Sequence, residues 1–165
     1  VDAIPVLTEE KTVKLFESFG VFTRAELESR AEIQYETYAK VINIEAKSMI
    51  DIASKQLIPA VIKYTKELAD TVIAVKACGV DASVQEEILR KTTTLLGESR
   101  NALAKLKELD AQANKLSRGE KQAKFFNKEV VPAMDALRKP IDKLEMIVEK
   151  DMWPMPSYGD LIFEV

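Results

Sequence analysis

The stretch TRAELESRAEIQYETYAKVINIEAKSMIDIASKQLIPAVIKYTKELADTVIAVKACG, residues 23–79, decides the fold. Thr23 followed three positions later by Glu26 is a capping box, in which a hydroxyl and a carboxylate satisfy backbone donors that a helix start leaves open. From there an apolar or small residue recurs in steps of four, four and three: Leu27, Ala31, Tyr35, Tyr38, Ile42, Ala46, Met49, Ala53, Leu57, Ala60, Tyr64 and Leu68. A repeat of about 3.7 residues is the stripe of an amphipathic helix and excludes a strand. The stripe keeps its phase through Pro59, so the pattern predicts one proline-kinked helix of about 55 residues rather than two helices. Gly79 supplies the left-handed position after it, with Val80 as the apolar follower.

Working outward, Thr8 is placed to cap a short helix carrying Val13, Leu15, Phe16 and Phe19, closed by Gly20. Downstream, Ser83 with Glu86 repeats the capping-box pattern and opens a third helix to about Leu116, striped by Val84, Ile88, Thr92, Leu95, Ala102, Leu106, Leu109 and Ala113. Gly97 weakens that helix by about 1 kcal/mol relative to Ala. A short turn at residues 117–119 predicts an antiparallel return by a fourth helix, about 120–150, which buries Phe126, Val130, Met134, Leu137, Ile141, Leu144 and Val148 and contains Pro132 and Pro140. The fold expected is an all-α, up-down bundle of three long helices. Its divisions are 1–22 for the short helix and turn, 23–150 for the bundle, and 151–165 for an extended arm ending in a strand-like apolar run, the whole forming one domain.

At about 1.5 Å per residue the first long helix exceeds its partners, so residues 24–43 are expected to overhang the other two. Tyr35, Tyr38 and Ile42 keep that overhang apolar, which predicts a docking surface. The arm carries Trp153, Tyr158 and Phe163, and large aromatics dominate interface energetics.

The 165 residues hold no histidine, one cysteine and five scattered glycines, at a net charge of −3. Zinc sites, inward-facing di-iron pairs and phosphate-cradling loops all lack their ligands, so no catalytic, cofactor-binding or metal residue is assigned. Nothing basic faces a nucleic acid, no apolar run approaches a membrane span, and Cys78 has no internal partner, which fits a cytoplasmic protein. The chain opens on Val1, as a piece of something longer would.

The carboxy-terminal words carry a resemblance. Trp153-Pro154-Met155-Pro156-Ser157-Tyr158-Gly159-Asp160-Leu161-Ile162-Phe163-Glu164-Val165 resembles the end of the large, type III bacterial glutamine synthetases. Gly20-Val21-Phe22-Thr23-Arg24-Ala25-Glu26, Ile42-Asn43-Ile44-Glu45-Ala46 and Tyr64-Thr65-Lys66-Glu67-Leu68-Ala69-Asp70 look like the same family. The resemblance implies the carboxy-terminal helical region of an enzyme that makes glutamine from glutamate, ammonia and ATP with Mg²⁺ or Mn²⁺ in a homo-oligomer. Its catalytic set would lie upstream, and this region would dock on the catalytic domain or on neighbouring subunits. The rival reading is a free-standing helical adaptor or oligomerisation bundle without chemistry.

Overall fold

The computed structural model describes residues 1–156 and 158–163; at 158, 159 and 163 it describes the backbone alone. Among the described residues every regular element is helical: a 3₁₀ turn Ile4–Thr8, then α1 (Glu10–Ser18), α2 (Arg24–Ile52), a π-turn Ala53–Leu57, α3 (Ile58–Ala77), α4 (Ser83–Ala113), α5 (Glu120–Phe125), a second π-turn Phe126–Val130, α6 (Val131–Glu145), a 3₁₀ turn Lys150–Met152 and α7 (Tyr158–Phe163). The long first helix of the bundle is therefore real, running without interruption from Arg24 to Ala77.

The capping box forms as read. Thr23 N–H donates to Glu26 Oε2 at 2.8 Å, and Glu26 N–H faces Thr23 Oγ1 at 3.4 Å. At the far end Val80 N–H reaches Val75 O and Gly79 N–H reaches Lys76 O, with Gly79 at φ 74°. That pair of bonds is a Schellman closure and requires the left-handed residue that Gly79 supplies.

Pro59 is carried by a feature the periodicity does not announce. A proline inside a helix lacks the N–H of its own turn and crowds the carbonyl four residues back. Here the preceding turn widens: Ile58 N–H bonds to Ala53 O, five residues back, and Pro59 falls in the first turn of α3. The same device recurs before Pro132, where Val131 N–H bonds to Phe126 O. The two words are alike, Ser54-Lys55-Gln56-Leu57-Ile58-Pro59-Ala60 and Asn127-Lys128-Glu129-Val130-Val131-Pro132-Ala133. Each π-turn buries its first and fifth residues, Ala53 with Leu57 and Phe126 with Val130. A widened turn thus absorbs each proline while packing holds the register.

The backbone packs into two compact units, Val1–Ser48 with Leu106–Met134, and Met49–Lys105 with Asp135–Val165. In the first, Val13, Leu27, Ala31, Tyr35, Ala39, Ala46, Leu106, Leu109, Ala113, Ala123, Phe126 and Val130 form the buried face. Small residues on α2 allow close helix approach, and Phe126 fills the space they leave. In the second, Val61, Leu95, Leu144 and Val148 form a core flanked by Tyr64, Leu96, Ile147, Met152 and Trp153. Its buried hydroxyls stay on their own helix, Thr92 Oγ1 and Ser99 Oγ each donating at 2.8 Å to the carbonyl four residues earlier.

Four expectations need correction. Thr8 does not cap α1; its hydroxyl donates to Pro5 O at 3.0 Å, and Glu9 occupies the cap position. Ser83 does not form a box with Glu86. Its N–H and hydroxyl donate to Asp81 at 3.2 and 2.7 Å, while Glu86 pairs with Lys76 and Arg90. The third and fourth helices end early, at Ala113 and Glu145. The arm is not strand-like where it is described, because Tyr158–Phe163 is a short helix. Pro154 and Pro156 prohibit helix only up to themselves, and helix resumes once the second is passed.

The bare overhang is also absent. Asn114 Nδ2 does reach Asn43 Oδ1 at 3.2 Å, the level predicted for the end of the third helix. Beyond it the turn continues outward until Gly119, at φ 95°, lies so close to the Glu32 carboxylate that a Cβ would collide with it. From there α5 and its π-turn run back along α2, and Asn127 Nδ2 donates to Tyr38 Oη at 2.9 Å. The amino-terminal segment covers the rest: Arg24 pairs with Glu10 at 2.5 Å, and Phe16 meets Phe22 at 5.6 Å between centroids. Arg30 lies over the same Phe22 ring at 4.2 Å.

Candidate functional site

An apolar concavity of about 780 Å³ lies in the second unit. One wall is Met49, Ile52, Ala53 and Leu57, where the π-turn widens the helix; Ile141 and Met146 of the α6 region face it. The carboxy-terminal arm closes the third side with Trp153, Met155, Pro156 and Leu161. Trp153 is positioned from both ends. Its N–H bonds to Glu149 O and Lys150 O at 3.1 Å, and its ring packs on the Val61, Leu95, Leu144 and Val148 core. Past the prolines, Lys150 Nζ holds Asp160 Oδ1 at 2.8 Å and ties α7 back to the 3₁₀ turn.

Methionine makes this surface adaptable, since its unbranched thioether fills irregular space and prefers aromatic neighbours. Met146 is 85% exposed and Leu161 67% exposed, so the apolar lining continues onto the open surface. The rim is charged. Arg138 Nε lies 3.3 Å from Asp142 Oδ2, and Glu145, one turn on, makes no ion pair among the described residues. Trp153 Nε1 is buried with no acceptor among the described residues, and the Ser54 hydroxyl within the π-turn is buried with no partner among them either. The lining of the concavity is suited to apolar side chains.

The residues singled out from sequence divide. Trp153 is half-buried and belongs to the groove. Tyr35 is 5% exposed inside the first unit, and burial raises its pKa, with Glu120 adding in the same direction. Tyr38 and Ile42 are half-buried on the same helix. The side chains of Tyr158 and Phe163 lie outside the described residues. Sequence reading missed Met49, Ile141, Met146 and Met155 as wall residues, because each looks like one more member of a helical stripe or an arm.

No divalent-metal centre is formed among the described residues. There is no histidine, and among the described residues no group of three or more His, Cys, Asp or Glu side chains could hold a metal ion. A smaller polar pocket of about 230 Å³ in the first unit, lined by Glu36, Lys40, Asn43, Asn114, Arg118 and Gln122, has its charges largely engaged. Lys40 pairs with Glu36 at 3.0 Å and lowers that carboxyl's pKa, while Gln122 donates to Ala113 O. No described helix is long and apolar enough to cross a membrane.

Comparison with known proteins gives a consistent result. Residues 1–76 match the family described as glutamine synthetase C-terminal domain. The chain is 31% identical over 172 aligned residues to the type-3 glutamine synthetase of Dictyostelium discoideum, an alignment covering 98% of the chain and 23% of that protein. It is 28% identical to the glutamine synthetase of Butyrivibrio fibrisolvens, over 99% of the chain and 24% of the relative. With the glutamine synthetase of Bacteroides fragilis (strain YCH46) the figures are 24% identity, 87% and 20%. The chain thus spans about a quarter of the length of the first two relatives it matches.

Proposed function

We propose that this chain, which belongs to the glutamine synthetase C-terminal domain family, is a non-catalytic docking and assembly region of an enzyme that ligates ammonia to glutamate at the expense of ATP. The observation that carries this reading is coverage: nearly the whole chain aligns with about a quarter of each of two relatives. ATP and Mg²⁺ or Mn²⁺ would be bound by the remaining three-quarters, a reading supported by the lack of a metal-ligand cluster among the described residues. The compartment would be the cytoplasm.

The docking half of the reading is supported by the apolar groove around Trp153 and by the aromatic arm that builds it. In the full-length protein encoded at this locus, Trp153 and Phe163 are anchors of the link to the catalytic domain or a neighbouring subunit. Replacing both by Ala should lower the oligomer's mass or its melting temperature. Unchanged size and melting would sink the docking role while leaving membership of the family intact.

A further inference from the structure

An α-helix pairs the carbonyl of each residue with the N–H four positions on. Each π-turn breaks that pairing twice. In the first, the Ile58 N–H is spent on Ala53 O and Pro59 has no N–H, so the carbonyls of Ser54 and Lys55 both lose their ordinary donors. The second repeats the arrangement: Val131 N–H goes to Phe126 O, Pro132 donates nothing, and the carbonyls of Asn127 and Lys128 are left in the same position. Lys55 and Gln56 are exposed, as are Lys128 and Glu129, so one side of each turn faces solvent. Ala53 with Leu57, and Phe126 with Val130, hold the other side in a core. The turns then differ. The buried Ser54 hydroxyl has no partner among the described residues, although Thr92 and Ser99 each reach the carbonyl four residues earlier. Asn127, at the matching position of the second turn, is tied by its Nδ2 to Tyr38 Oη at 2.9 Å.

We propose that the two widened turns are preset opening points, where the helix breaks and re-forms its hydrogen bonds while the turns on either side stay closed, and that the Ala53–Leu57 turn opens more readily than the Phe126–Val130 turn. Opening there breaks fewer helix bonds than opening elsewhere, and water reaches the bare carbonyls from the exposed side. The buried first and fifth residues of each turn keep the register, so the helix closes again in the same phase. At the first turn opening also frees the Ser54 hydroxyl to find a partner, and no side-chain bond like that of Asn127 has to break. Ile52, Ala53 and Leu57 form one wall of the Trp153 groove, so the first turn makes that wall adjustable. This last consequence rests on the docking function proposed above; the opening itself does not.

The test is amide hydrogen exchange of this chain, read residue by residue by NMR. In the wild type, protection at Leu57, Ile58, Ala60 and Val61 should lie roughly tenfold or more below that of the flanking residues 46–50 and 64–68. Val130, Val131, Ala133 and Met134 should show a smaller dip of the same kind. Pro59→Ala supplies the missing N–H, so it should raise protection at residues 57–61 by roughly tenfold and leave 130–134 as they were. Pro132→Ala should do the reverse. Wild-type protection at either turn equal to that of its flanks would overturn the opening there, a result that needs no variant to fold. A first turn better protected than the second would overturn the order between them, and protection unmoved by Pro→Ala would overturn the proline as its cause. None of these readings depends on docking, which is tested separately by the mass and melting of the full-length variants.

Discussion

Gly119 and Gly97 make opposite demands on the same residue type. Gly119 has φ 95°, so a methyl there meets backbone strain, while the exposed Glu32 carboxylate beside it can swing aside. Gly97 is in the middle of α4 with open space around its Cα. Gly119→Ala should therefore destabilise the chain by about 1–2 kcal/mol or more, and Gly97→Ala should stabilise it by about 1 kcal/mol, both read from urea midpoints. Equal effects in the two variants would contradict the geometry of the turn. Charge also acts at this scale. Hydrogen bonding to Arg24 lowers the Glu10 pKa, Thr23 lowers that of Glu26, Lys76 that of Glu86, and Ser83 that of Asp81. A lowered folded-state pKa means stability fully present above the ordinary value and lost as pH falls through the folded one. Melting temperature should accordingly hold from pH 8 to about 5 and decline below the ordinary carboxylate value of 4.5. A decline beginning near neutrality would contradict these pairings.

The π-turns show what an element's sequence conceals. A stripe with steps of four, four and three made the long helix legible from Thr23 to Gly79, and Thr23 with Glu26 marked its start correctly. The same stripe hid the widened turns, because Ala53, Leu57 and Ala60 read as in phase whether or not an extra residue is accommodated between them. Asp81 displaced Ser83 as the cap for a comparable reason: both residue types accept helix-start donors, and only geometry decides between them. Trp153 stood out in the sequence because a tryptophan between helix end and prolines has no stripe to belong to. The groove it lines did not, since one of its walls, Met49 to Leu57, comes from residues about 100 positions away. Phe126, 1% exposed in the second π-turn, fills the core of the first unit. Phe126→Ala should cost about 3–5 kcal/mol in equilibrium unfolding, and a cost below 1 kcal/mol would mean the turn is not packed as described. Trp153→Ala should cost about 2 kcal/mol through lost apolar contact. Trp153→Phe should cost much less, because the buried Nε1 it removes has no acceptor among the described residues to lose. If Phe proved as costly as Ala, the indole N–H would have a partner after all.

At the scale of the whole molecule, the 165 residues hold no histidine, and no metal-ligand cluster occurs among the described ones. On the function proposed above, chemistry would belong to a longer protein and this chain would contribute surfaces. The most direct measurement is glutamine formation from glutamate, ammonia and ATP with Mg²⁺, comparing this chain with the full-length protein encoded at the same locus. The account predicts turnover by the full-length protein and none by the chain alone. Turnover by the isolated chain, or a full-length protein that makes no glutamine, would contradict it.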